Sequence, residues 1–421
     1  MPPKLPGLWR HDDFMRLWVG QTISAFGSMV GGVAMSFTAI LVLRATPFQL
    51  GTLAAARLVP GLLSSLFAGA WVDRISRRPI LIAADIGRAA ALVSIPITAY
   101  FGILYIGQLY VVAFLVSILT IFFDVAYQSY LPSLVEKQEL IEGNSKLTAT
   151  SAISEFCGFG IGGWLVQIFT APIAILIDSV SFIASAISVN LISSSESEQK
   201  ADEHRNMRAE IMDGLREVVN SPILRAMALA NLSFSFFLGT NGPLVVLYMS
   251  KGLGFNPGLL GMIFALGGVS SFFGAVFATR VTGRIGAGKA MIFGMLGFGI
   301  SMLFIPLAQG ATVVSVILLI AQQLTGDGAY TVYEITQVSL RQEISPARLL
   351  GRVNASMKFI GLGAMLAGSI LGGVLGERIG VRATLAASAI GALLSVLWLV
   401  LSPLRLLHGA PGTVLEQVEA V

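Results

Sequence analysis

Runs of about 20 apolar residues, each long enough to cross a hydrocarbon layer as a helix, recur along this chain and constrain its fold more than any other feature. Polar, proline or glycine breaks separate them near 14–43, 50–72, 80–101, 106–128, 147–168 and 171–193. Six more follow near 226–250, 257–279, 290–307, 312–338, 355–375 and 382–402. Backbone inside a bilayer has to satisfy its own hydrogen bonds, and helices of this length do so. The pattern predicts an all-α membrane protein of about twelve transmembrane helices. Only 12% of the residues are charged, about half the share usual in a soluble domain. The first run, Phe14 to Leu43, is too long for the apolar core of a secretory leader and lacks a small-residue cleavage pattern after it, so it is expected to stay as a helix.

Organisation and orientation follow from the polar residues. A charged stretch at 194–225 separates a first six-helix bundle within 1–193 from a second within 226–402, and a tail runs from 403 to 421. Of the 27 Lys and Arg, 20 lie in segments on the side of both termini and the central stretch. The loops opposite hold 4 (Arg44, Lys251, Arg378 and Arg382), and Arg57, Arg88 and Lys358 fall within the runs. Basic residues are retained on the cytoplasmic side, so termini and central stretch are expected in the cytoplasm of a bacterial-type inner (plasma) membrane. The bundles also match each other. A shift of 210 residues, the separation of Glu334 from Asp124, pairs Pro47 with Pro257, Gly51 with Gly261, Asn144 with Asn354 and Gly162-Gly163 with Gly372-Gly373. One constant offset implies duplication, an organisation used by secondary transporters with a substrate site between the halves.

Several function classes drop out on chemistry. Cys157 is the single cysteine, and His11, His204 and His408 lie outside the apolar runs without ligand spacing, so neither a disulfide framework nor a metal site is expected. No Gly-x-x-x-x-Gly-Lys-Ser/Thr occurs, and no nucleophile–base pair appears in the spans. The chain is therefore not expected to be an enzyme or to carry a cofactor, and its energy source is expected to be a gradient. Its expected partners are protons, membrane lipid and a small molecule, with no nucleic acid, and a monomer is expected.

The first loop on the basic side reads Gly69-Ala70-Trp71-Val72-Asp73-Arg74-Ile75-Ser76-Arg77-Arg78. It resembles the Gly-x-x-x-Asp-Arg-x-Gly-Arg-Arg signature of the major facilitator superfamily, with Ser76 in place of a glycine. Gly69 permits close helix approach, Asp73 can accept from the orphan amides of a helix start, and Arg77 and Arg78 suit an anionic leaflet. Gly158-Phe159-Gly160-Ile161-Gly162-Gly163 on the fifth helix resembles the antiporter motif of superfamily exporters, with Phe159 where proline is usual. Generic helix packing by small residues is the alternative, and Gly368 and Gly372 on the eleventh helix have the same spacing. Asp12-Asp13-Phe14-Met15-Arg16-Leu17-Trp18, Leu131-Pro132-Ser133-Leu134-Val135 and Ile177-Asp178-Ser179-Val180-Ser181-Phe182 are similar to the group of enterobactin-type siderophore exporters and macrolide efflux pumps. That resemblance implies proton-driven efflux by alternating access, and implies that Asp178 is a scaffold residue.

Charged groups within the spans are costly and each needs a reason. Asp124 and Glu334 occupy equivalent places on the fourth and tenth helices, which in the superfamily fold face a central cavity with the first and seventh. They are read either as ion sites or as cytoplasmic gate groups pairing with Arg88, Arg77 or Lys358, in a local cluster with Asp73, Arg74 and Asp85. Glu155 lies about nine residues, roughly 13 Å, into the fifth predicted helix. Water is scarce at that depth, so this carboxyl is a candidate for carrying the proton, with a buried or Arg57-paired glutamate as the bland alternative. Asp327, in Gly326-Asp327-Gly328, is a second candidate at an expected helix irregularity. Arg57 suits an anionic substrate or would neutralise Asp178. Gln21, Ser24, Asn231, Asn241, Gln322 and Tyr330 are candidate cavity residues; sparse polar groups among apolar walls suit an amphiphilic molecule. The leading reading is a proton-coupled exporter of amphiphilic drugs, antibiotics or siderophores. Uptake or lipid flipping by the same fold is the first alternative, and a membrane sensor that moves nothing is the second.

Overall fold

The computed structural model describes residues 7–67, 76–136, 139–193, 207–346 and 348–407. Its helices are α1 (Asp12–Phe37), α2 (Pro47–Phe67), α3 (Arg77–Tyr100), α4 (Ile106–Leu134), α5 (Leu140–Phe169), α6 (Ala171–Asn190), α7 (Met207–Asn220) and α8 (Pro222–Leu247). The second half continues with α9 (Pro257–Ile285), α10 (Ala287–Met302), α11 (Phe304–Leu307), α12 (Val313–Ile344), α13 (Leu350–Arg378), α14 (Val381–Leu394) and α15 (Leu397–Val400). No strand occurs among the described residues. Among them 11 helical segments are long and apolar enough to cross a membrane. The 21-residue α2 occupies the place of the remaining expected span, carries Arg57 and Pro60 within it, and ends where the described residues end. Apolar periodicity located the spans, and the helices run past them on the basic side: α12 continues to Ile344 and α5 begins at Leu140.

Contacts group the helices into two compact units. The first holds α1, α3 to α6 and the first turn of α9; the second holds α2, α7, α8, the rest of α9 and α10 to α15. In the first, α1 packs on α5 and α6, and α3 on α4 and α6, around Phe14, Leu17, Leu81, Phe123 and Tyr130. In the second, α8 packs on α13 and α14, and α10 on α12, around Met227, Phe234, Met291, Met295 and Tyr333.

The duplication read from the sequence recurs in the backbone. Helix α1 ends in a π turn at Thr38–Val42 and α8 ends in another at Tyr248–Gly252, 210 residues on. Arg44 (φ 51°) corresponds to Gly254 (φ 79°), and Thr170 (φ 93°) to Gly380 (φ 88°). At Thr170 ψ is 154°, a region tolerated mainly by glycine and strained for a β-branched residue by about 1–3 kcal/mol. Thr170→Gly is therefore expected to raise the thermal midpoint of the purified protein; an unchanged or lowered midpoint would show the turn to be relaxed as it stands.

The structure adds one element that apolar runs did not indicate. Within the charged stretch 194–225, α7 lies along α13: Gly214 sits on the Arg352 backbone, Val218 is buried, and Arg352 Nη1 donates to Asp213 Oδ2 at 2.8 Å. Charged residues outnumber its inward positions, so the segment reads as polar although Leu215 and Val218 repeat at helical spacing.

Candidate functional site

In the first unit α1, α4 and α5 enclose a cavity of about 250 Å³ whose lining includes Gln21, Asp124, Tyr127, Asn144, Thr148 and Ser151. Gln21 stands nine residues after the start of α1 and its Nε2 has no hydrogen-bond partner among the described residues. The Asp124 side chain is exposed, and the Tyr127 ring stacks on Phe123 with centroids 5.9 Å apart. Residues 124 and 127 are one turn apart and so share a face of α4. The cavity thus offers one accessible carboxylate, an aromatic face and several neutral hydrogen-bonding groups. Ser24, one turn beyond Gln21, is buried at 4% exposure.

Asp85 and Arg88 belong together, one turn apart on α3, but as a buried ion pair and not as an accessible cluster. Asp85 Oδ1 accepts from Arg88 Nη2, with Asp85 at 0% and Arg88 at 3% exposure. The guanidinium lies over the rings of Phe123 (4.3 Å) and Phe182 (4.1 Å), cation–π contacts that strengthen where water is excluded. Its charge also acts on Asp124 and Asp178. The expected pairing of Arg88 with the Asp124 level is therefore present only as a secondary interaction, because Asp85 is one helical turn away.

Of the signature loop, Gly69, Asp73 and Arg74 lie outside the described residues. Arg77 opens α3, and Arg78 Nη2 donates to the Asn190 carbonyl at 2.5 Å. That cation meets the carbonyl end of α6, where positive charge is favoured. Arg16 Nη1 adds a second contact there, to the Leu191 carbonyl at 2.6 Å.

Small residues bring several helices close together. Gly158 and Gly162 lie on Met29 and Val30 of α1, while Gly368 and Gly372 lie on Phe236 and Thr240 of α8, one contact repeated at the 210-residue offset. Gly163 meets Pro257 and Gly261 at the start of α9, and its counterpart Gly373 meets Pro47 and Phe48 of α2. Gly51 in turn approaches Gly373 and the Ser369 carbonyl. At Gly51, Gly163, Gly368, Gly372 and Gly373 a Cβ would strike backbone, and at Gly158 it would strike the Met29 side chain, so a glycine lets these helices touch.

In the second unit several expected cavity residues are taken up between helices. Asn231 Nδ2 donates to the Met357 carbonyl at 3.0 Å and its Oδ1 accepts from Ser235 at 3.2 Å. Asn241 Nδ2 donates to Ser388 Oγ at 3.2 Å. Gln322 is buried at 5% exposure. Tyr330 stacks on Phe234 at 5.8 Å and lies 5.2 Å from Phe298 and 6.2 Å from Tyr333, forming an aromatic wall beside the exposed Glu334. The Arg57 side chain is exposed on α2.

Of the two proton-carrying candidates, Glu155 stands midway along the 30-residue α5, with its side chain outside the described residues. Asp327 Oδ2 lies 3.4 Å from Gln323 Nε2 and is seated against Gly267 of α9. Helix α12 runs unbroken through Gly326-Asp327-Gly328, so the expected irregularity takes a milder form. Ser270 Oγ donates to the Leu324 carbonyl at 2.5 Å and accepts from the Gly328 amide at 2.9 Å, entering the rung those two groups would share.

Comparison with known proteins adds a family. The family described as transmembrane secretion effector matches residues 7–413. The uncharacterized MFS-type transporter YfiS of Bacillus subtilis (strain 168) is 25% identical over 369 residues, covering 86% of this chain and 86% of YfiS. The multidrug efflux pump Tap of Mycolicibacterium fortuitum is 26% identical over 356 residues, covering 81% of this chain and 84% of Tap. The fold resembles the inward-facing crystal structure of a bacterial homologue of the iron transporter ferroportin, with a TM-score of 0.74 and 18% identity over 92% of this chain and 98% of that one. At that identity the likeness speaks for the fold alone.

Proposed function

Because the chain belongs to the transmembrane secretion effector family of the major facilitator superfamily, and is thus a multi-pass membrane transporter, we propose that it exports amphiphilic small molecules in exchange for protons. The observation that carries this reading is the first-unit cavity, where the accessible carboxylate of Asp124 stands among Gln21, Asn144, Thr148, Ser151 and the Tyr127 ring. A single carboxylate among neutral groups suits an organic cation, and aromatic faces receive its apolar part. The aromatic wall of Phe234, Phe298, Tyr330 and Tyr333 gives the second unit a surface of the same character. The efflux pump Tap supports the outward direction.

In this scheme the substrate enters from the cytoplasmic side, the side on which basic loops are retained, and the two halves alternate access. Asp124 and Glu334 act in closing that side, and Arg78 ties the start of α3 to the end of α6. Glu155 and Asp327 carry protons, since an ionisable residue within a membrane-spanning helix is costly unless it serves transport.

Efflux-deficient cells expressing the protein are expected to accumulate several-fold less of a fluorescent lipophilic cation than control cells, and a protonophore should erase the difference. Asp124→Asn should weaken apparent affinity for that cation about tenfold, the equivalent of losing an interaction of about 1.4 kcal/mol. A cation-export phenotype equal to wild type in that variant would remove Asp124 from substrate binding. Unchanged accumulation with and without the wild-type protein would count against export of such cations altogether.

A further inference from the structure

Where α7 meets the start of α13, a cavity of about 400 Å³ is lined by Asp213, Arg216, Glu217 and Asn220 of α7, and by Arg348 and Arg352. All of these residues belong to the second unit, and the scheme above uses none of them. Arg352 Nη1 pairs with Asp213 Oδ2 at 2.8 Å. Beyond that pair the lining sets two exposed guanidiniums, Arg216 and Arg348, against one carboxylate, Glu217. Three arginines with two carboxylates leave one positive charge in excess. A concave surface of that sign concentrates an anion against several cations at once, which a flat one does not.

The repeat does not require these cations. At the 210-residue offset Arg216 corresponds to Pro6, Arg348 to Gln138 and Arg352 to Glu142. The counterpart of α7 in the first half is the short turn Leu8–Arg10, whose buried Leu8 corresponds to the buried Val218. That turn is fastened by Glu142, which accepts from the Leu8 amide at 3.3 Å. One carboxylate suffices there to hold the segment on its helix. The arginines of the second half therefore exceed what fastening α7 demands, and an exposed ion pair would add little to stability in any case.

The position of the cavity narrows the anion. Helix α7 ends at Asn220, next to the apolar segment Pro222–Gly252, and Arg348 stands just before the apolar segment Leu350–Arg378, both long enough to cross a membrane. The ends of such segments lie at the depth of the lipid headgroups. Met212 and Val219 are 51% and 57% exposed and share one face of α7 with Arg216, which stands four residues from the first and three from the second. A lipid matches both features, its acyl chain the apolar edge and its phosphate the cations.

We infer that this cavity binds a phosphate group, presented by the headgroup of an anionic phospholipid. Arg216 and Arg348 take the phosphate oxygens, because the planar fork of a guanidinium fits a phosphate with two parallel hydrogen bonds. The Asn220 amide supplies a further donor, and Arg352 stays on Asp213. A phosphate held this way bridges α7 and the start of α13, so lipid clamps the central stretch to the second unit.

Thermal unfolding of the purified, lipid-depleted protein in neutral detergent tests the site. Dioleoyl phosphatidylglycerol is expected to raise the midpoint with a saturating dose dependence, since a ligand of the folded state stabilises it, and dioleoyl phosphatidylcholine to raise it less at equal concentration. Arg216→Gln combined with Arg348→Gln should need about tenfold more phosphatidylglycerol for half the rise, the loss of about 1.4 kcal/mol of binding. Arg216→Lys with Arg348→Lys, which keeps the charge and loses the fork, should fall between. Both side chains are exposed, so the midpoint without lipid should change little. If inorganic phosphate alone gives the rise, and the glutamine variant loses it, the phosphate site stands and its lipid source is refuted. No rise with either compound, or an equal rise in the glutamine variant, would overturn the inference. The readout involves no transport, so its failure is distinct from absence of gradient-driven efflux.

Discussion

Arg88→Leu is expected to destabilise the protein by about 3–5 kcal/mol, because it strands the Asp85 charge in the interior. Asp85 is 0% exposed, and Arg88 supplies both its hydrogen bond and its counter-charge. The same substitution removes the cation held between Phe123 and Phe182. A typical folded protein has only about 5–15 kcal/mol in hand, so the single variant should show a sharply lowered thermal midpoint or fail to accumulate. Adding Asp85→Leu to Arg88→Leu should recover most of the loss, since apolar residues of similar volume often replace a buried ion pair at little cost. Recovery of stability without recovery of gradient-driven transport would identify the pair as functional. A single variant as stable as wild type would show that Asp85 is held neutral without Arg88, and would undo the ion-pair assignment.

Gly368→Leu should be at least as damaging, through shape instead of charge. A Cβ at Gly368 would collide with the Phe236 carbonyl and approach the Thr240 amide of α8 at 3.1 Å. Backbone cannot rotate aside as a side chain can, so α8 and α13 would have to separate along a contact that runs from Asn231 and Met357 to Leu244 and Gly376. Overpacking usually costs about 1–3 kcal/mol, and a displaced helix pair takes the effect to the upper end or beyond. The expected result, read by size-exclusion profile of the fluorescently tagged protein, is loss of the folded peak. Gly242→Ala, on the same α8 where a Cβ meets nothing within 4 Å, should leave it intact. A normal profile for Gly368→Leu would mean that α8 and α13 do not depend on this approach.

Much of the architecture was legible because membrane spans are set by long apolar runs, and duplication leaves a constant offset. Thr38 and Tyr248 both open π turns, and Thr170 and Gly380 share a backbone conformation that their chemistry alone does not suggest. Gly158, Gly162, Gly368 and Gly372 were readable as packing positions because small residues four apart have one geometric use in a span. What stayed hidden was the partner of each polar group. Asn231 and Asn241 carry the same side chain as a substrate ligand would, yet their amides are spent on Met357 and Ser388. Asp85 and Arg88 read as gate residues from their position, but a spacing of three on α3 lets them satisfy one another first. Nothing in the linear sequence places Asp178 against Gly27 and Gly31 of α1. Helix α7 was concealed for another reason: Gly214 against Arg352 and the buried Val218 are a small part of it, and charge dominates the rest.

The central claim, exchange of substrate for protons, is tested most directly in inside-out vesicles carrying an imposed pH difference reported by a dye. Addition of a lipophilic cation is expected to dissipate part of that difference in vesicles containing the protein, to leave control vesicles unaffected, and to fail in vesicles containing Glu155→Gln. Movement of the cation that leaves the pH difference intact, or dissipation equal in vesicles with and without the protein, would contradict it.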